Sequence, residues 1–131
     1  MSAEAITAAL LSAPALVLLV GDRRAASLLP EGSPLPAVVY HTISAVPDDR
    51  IADPSAKRWE CRVQVDALSL TIPQLKQIIG AVMTAMRISH PAVVGGYNVI
   101  YSGVRLLTPV EHQQAPNVWR QSADFRLIFS T

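Results

Sequence analysis

The feature that most constrains the fold is a switch of hydrophobic period between Trp59 and Met86. In the first half, Trp59, Cys61, Val63, Val65 and Ala67 share one face of an extended chain, and Glu60, Arg62, Gln64 and Asp66 the other. Side chains alternate across a strand, so this pattern predicts an antiparallel strand with one wet face. From Ile72 the apolar positions become Ile72, Leu75, Ile78, Ile79, Val82, Met83 and Met86, the stripe of a helix over about Ile72 to Arg87. Pro73 suits the first helical turn, and Gln74, Lys76, Gln77, Thr84 and Arg87 face water. A strand with one dry face followed at once by a helix with one dry stripe buries both by packing one on the other.

The same patterns extend to the rest of the chain. Ala37 to Ser44 is β-branched and alternating, which predicts a strand. Another is expected over Tyr97 to Leu107, with Gly103 marking a bulge. In the last, Val118 to Ser130, Trp119, Ala123, Phe125, Leu127 and Phe129 alternate with Arg120, Ser122, Asp124 and Arg126. At the start, Ser2 stands as an N-cap and Glu4 in the first turn of a helix from Ala3 to Ser12. Pro14 opens a short second turn, and Gly21-Asp22 ends it. Ser27 to Pro36 reads as a turn-rich connector, Ala45 to Ala56 as an exposed β–β loop, and Pro109 to Asn117 as a polar turn. The expected order is α-β-β-α-β-β. It makes a single α+β domain whose mostly antiparallel four-stranded sheet carries the amphipathic helix on one face, beside an N-terminal helix.

Composition narrows what such a domain does. The chain has 131 residues and a formal charge of +1, which removes the broad basic footprint of nonspecific nucleic-acid binding. Apolar residues make up 50% and charged residues 16%, against roughly 25% charged in an ordinary domain. So thin a polar covering points to surface buried against other subunits. The single Cys61 excludes an internal disulfide framework and, on an apolar strand face, reads as a packing residue. The apolar stretch Ala5 to Val20 is short for a bilayer span, is broken by Pro14 and has no Lys or Arg before it. A soluble intracellular protein without membrane contact is therefore expected.

No chemistry emerges from the motifs. His41, His90 and His112 lack second ligands at zinc spacing, and His41 reads as a packed or edge residue of its strand. Asp48, Asp49 and Asp53 lack the glycine and glutamate of a calcium loop. No phosphate-cradling glycine motif or nucleophile elbow is present, and Arg23-Arg24 and Lys57-Arg58-Arg62 have no interleaved aromatics for base stacking. The reading assigns no catalytic, cofactor-binding or metal residues, and hence no enzyme.

The ordered set of segments LVGDR (Leu19 to Arg23), LPEGSPLPAVVY (Leu29 to Tyr40), RVQVDALS (Arg62 to Ser69), GVRLL (Gly103 to Leu107) and ADFRLIF (Ala123 to Phe129) resembles the tail completion, or tail terminator, proteins of tailed bacteriophages. The resemblance implies an α+β subunit of a homo-hexameric ring on the head-proximal end of the tail tube. Such a ring stops tube growth and offers a surface to the head connector, with phage DNA passing its pore without sequence-specific contact. It also implies a virion location, assembly in the host cytoplasm and no cofactor. By exclusion, the contacts then fall to three loops, Pro47 to Lys57, Ser89 to Gly96 and Pro109 to Asn117, with Asp48, Asp49, Arg50, Asp53, Lys57, Arg58, His90, Glu111 and His112 as candidate interface residues. The alternatives are a head-closure or neck ring subunit, and a small dimeric ligand-binding module or enzyme.

Overall fold

The computed structural model describes residues 3–27, 34–48, 58–114 and 117–130, with Asp48 described by its backbone alone. Three helices, α1 (Ala3–Leu10), α2 (Pro14–Val20) and α3 (Ile72–Ala85), are built with seven strands. The strands are β1 (Arg24–Ala26), β2 (Ala37–Asp48), β3 (Arg58–Ser69), β4 (Ala92–Val94), β5 (Tyr97–Leu107), β6 (Glu111–Gln113) and β7 (Val118–Ser130). They form one sheet in the order β1-β2-β3-β7-β5-β4, with β6 on β7 beyond the end of β5. The α+β class stands, but the sheet has seven strands rather than four. The four long strands are the expected ones, and β1, β4 and β6 are three-residue additions to them. All pairings are antiparallel except β1 on β2, where Arg24 to Ala26 run beside Val38 to Tyr40.

The switch of period works as anticipated. Cys61, Val63, Val65 and Ala67 of β3 and Ala123, Phe125, Leu127 and Phe129 of β7 point to one side, where Leu75, Ile78, Ile79, Val82 and Met86 cover them. Thr71 caps α3, its hydroxyl accepting from the Gln74 amide at 3.4 Å, and Pro73 follows in the first turn. Ile72 leaves the expected stripe and is exposed, because it opens the helix beyond the edge of the core. Ala3 and Ile6 of α1, Leu11, and Leu16 and Val20 of α2 complete the same core. The axes of α1 and α2 meet at 84°, bent where Pro14 cannot donate a backbone hydrogen bond. No single described helix is long and apolar enough to cross a membrane.

Other boundaries shift for identifiable reasons. The first helix stops at Leu10 rather than Ser12, since Pro14 removes the next donor. Strand β2 continues past Ser44 to Asp48, so the first part of the expected β–β loop is ladder, and residues 49–57 lie outside the described residues. Most of the Ser27–Pro36 connector and the Ser2 cap lie outside them too. Gly103 is not itself a bulge. It stays in register with Arg126, and the irregularities flank it, between Val99 and Tyr101 and between Val104 and Leu106. The polar turn after Pro109 contains β6, which extends the ladder of β7.

Candidate assembly surfaces

The sheet face away from the helices is polar but not simply wet. Asp66 and Asp124, expected on the solvent side, are buried, together with Ser122. Their strands lie side by side at the centre of the sheet, so neighbouring polar side chains cover them. Asp66 accepts from Gln64 Nε2 at 2.8 Å, Ser122 Oγ at 2.5 Å and an Arg120 guanidinium nitrogen at 2.9 Å. Asp124 Oδ2 accepts from Arg62 at 2.6 Å and Arg105 at 3.1 Å. Arg62 and Arg126 face each other across β3 and β7, a repulsive pairing by itself. It is relieved because Arg62 turns to Asp124 while Arg126 Nε donates to Glu60 at 2.6 Å. That bond and the Glu60 charge raise the Arg126 pKa further. The result is a near-neutral lattice of fixed charges tying β3, β7 and β5 together.

Burial, with smaller effects of the Glu4 and Glu60 charges, pushes the Cys61 thiol up to about 11, the reverse of an activated nucleophile. Among the described residues no three His, Cys, Asp or Glu side chains converge as metal ligands. An open groove of about 470 Å³ between α3 and β5 is lined by Met83, Thr84, Arg87, Tyr101, Ser102 and Val104 among others, and no His, Asp or Glu is among its described lining residues.

The family model of tail completion protein gp17 matches residues 4–128, nearly the whole chain. The chain belongs to this family. It is accordingly a structural protein of a phage-type tail and a component of the virion. A chain of the virion of a native gene transfer agent particle has the same fold, with a TM-score of 0.69 and 17% identity over 98% of this chain and 97% of that one. A second solved structure superposes with a TM-score of 0.55 at 13% identity, covering 97% and 96% of the two chains. No match was found among the curated proteins.

In this tail completion protein the sequence-derived interface residues separate to different ends of the sheet. Asp48 and Arg58 are register partners where β2 and β3 meet, at the end that also holds the β4–β5 turn at Gly95-Gly96. Glu111 and His112 are exposed on β6 at the other end, about 35 Å away along β7 at ~3.3 Å per residue. There His112 stacks on Trp119 with ring centroids 4.1 Å apart, and its Nε2 donates to Asn117 Oδ1 at 2.6 Å. His90 is exposed between the Ile88–Ser102 bridge and β4. Asp49, Arg50, Asp53 and Lys57 lie outside the described residues. His41 is half-buried on β2, at the edge of the sheet beyond β1. Sequence reasoning missed the Asp66–Asp124 lattice, although two mid-strand aspartates were its signal, since strands are poor in Asp.

Proposed function

We propose that this chain caps the head-proximal end of a tail tube as a ring, hexameric in number, ending tube growth and giving the head connector a surface to join. The match of the tail completion family over residues 4–128 carries this reading. The structure supplies what such a part needs: a rigid sheet stiffened by the arginine–carboxylate lattice, and two separate ends for two partners. Its work in this reading is assembly, with no catalytic step and no cofactor. DNA passes the ring without sequence-specific contact, and the tube protein and the head connector meet opposite ends of the subunit.

The test adds the purified protein to polymerising tube subunits and follows tube length and tube ends by electron microscopy. The expected result is a dose-dependent shortening of tubes and a six-fold ring at one end. Tubes that grow to unchanged length with no bound protein would overturn the capping role, and binding to portal or adaptor rings alone would move the chain to the neck.

A further inference from the structure

We infer that copies of this chain join edge to edge, residues 41–46 of β2 in one copy pairing antiparallel with residues 103–107 of β5 in the next, so that the sheet continues across the subunit boundary. The inference rests on the ring reading only for the closure of the chain of copies. β1 covers β2 at Val38 to Tyr40 alone, and β4 covers β5 at Tyr97 to Val99, with a single bridge from Ile88 to Ser102. Among the described residues nothing pairs with the outer side of the remaining segments.

Soluble proteins guard such edges with charges, prolines or covering elements, because bare edges template pairing. Among the described residues the guards here are few: register irregularities between Thr42 and Ser44 and between Val104 and Leu106, and the Glu4 carboxylate, which accepts from the Thr42 hydroxyl at 3.0 Å. Residues 41–46 (His41, Thr42, Ile43, Ser44, Ala45, Val46) contain no Asp, Glu, Lys or Arg, and Pro47 ends the run. On β5 the one charge in 103–107, Arg105, is drawn to Asp124 at 3.1 Å. Aliphatic side chains stand in water along both edges instead: Ile43 at 42% and Val46 at 59% exposure, Val104 at 50%, Leu106 at 53% and Leu107 at 40%. The chain's low charged fraction, 16%, fits surfaces of this kind becoming buried.

Strand polarity decides how the edges meet. β2, β3, β7 and β5 alternate in direction, so β2 runs antiparallel to β5. A second copy set beside the first by rotation about a ring axis continues that alternation. Each such contact covers one β2 edge and one β5 edge, so a closed ring leaves neither bare. A two-fold contact of β2 with β2 leaves both β5 edges exposed and calls for a second interface.

The test uses a Cys61→Ala background carrying Ala45→Cys, Val104→Cys or both; the two sites stand opposite each other in the proposed antiparallel register and share the helix-side face of the sheet, as their partners Cys61 and Phe125 do. After diamide oxidation, the doubly substituted protein is expected to give a covalent ladder ending at the copy number seen by native mass spectrometry. Mixing the two singly substituted proteins should give only the mixed dimer. Leu106→Lys should weaken association at least tenfold while leaving circular dichroism and the melting temperature unchanged. Dimers from Ala45→Cys alone, or rings formed in solution or on tube ends without crosslinks, would overturn the edge contact and leave the ring reading standing. A ladder that never closes would keep the edge contact and overturn the ring.

Discussion

Replacing Asp66 by alanine isolates what the buried lattice contributes. The Asp66 side chain is 9% exposed and its carboxylate takes three donors, Gln64, Ser122 and Arg120. Arg120, half-exposed, recovers water when its partner goes, so its ion pair accounts for about 0–1 kcal/mol. Gln64 is also partly exposed, and its bond adds roughly 0.5–1 kcal/mol. The Ser122 hydroxyl, on a residue 8% exposed, is stranded, which costs about 1–3 kcal/mol. Asp66→Ala should therefore lose about 2–4 kcal/mol, and Asp66→Asn, which still offers Ser122 an oxygen, about 1. In urea, with a slope of about 2 kcal/mol per molar, the alanine variant's midpoint falls by about 1–2 M at unchanged slope. Because Asp66→Ala already strands the hydroxyl, adding Ser122→Ala should cost almost nothing more, leaving the double variant about 1 kcal/mol short of additivity. A loss below about 0.5 kcal/mol, or strict additivity, would refute the reasoning, because the carboxylate would then be a solvated surface group.

Two further outcomes follow from the core. Phe125 is fully buried on β7 beneath α3, so Phe125→Ala should cost about 3–5 kcal/mol in the same titration, and a loss under about 2 would mean the core closes over the gap. The Cys61 thiol, raised from 9.0 to about 11 in the folded chain, should resist aromatic disulfide reagents until unfolding. Because the folded pKa exceeds the unfolded one, its contribution is whole below about pH 9 and is lost between about pH 9 and 11, at about 1.4 kcal/mol per pH unit. Urea midpoints of the parent and Cys61→Ala proteins should diverge in slope over that range, and parallel slopes would contradict the assignment.

The long elements were legible because each carries its own period. The alternation of β3 and the stripe of α3 can be satisfied only by facing one another, and so they do. The strands β1, β4 and β6 were not legible, since three residues hold no period and their extended form is imposed by the longer strand beside each. Asp66 and Asp124 were misplaced for a related reason: alternation says which face a side chain points to, not whether neighbours cover it. The separation of Asp48 and Arg58 from Glu111 and His112 depends on β7 bridging the two ends, a pairing that no local segment reveals. The open edges had a faint signal in the uncharged run from Ala37 to Val46, which reads equally as a buried strand until the neighbours are known.

The last of the described strands in chain order stands in the middle. β7 lies between β3 and β5, and Ser69, where its partner β3 ends, is translated some 60 residues before Ser130, where β7 ends. At about 5–20 residues per second, β3 waits on the order of 3–12 s for the neighbour that completes its face. During that interval the helices have only half a floor to pack on, and β2 and β5 are not yet joined through a common sheet. Synthesis itself thus orders events: a nascent chain cannot present both edges in their final places before β7 arrives, and a chain stopped before β7 lacks the centre of its sheet rather than a margin of it.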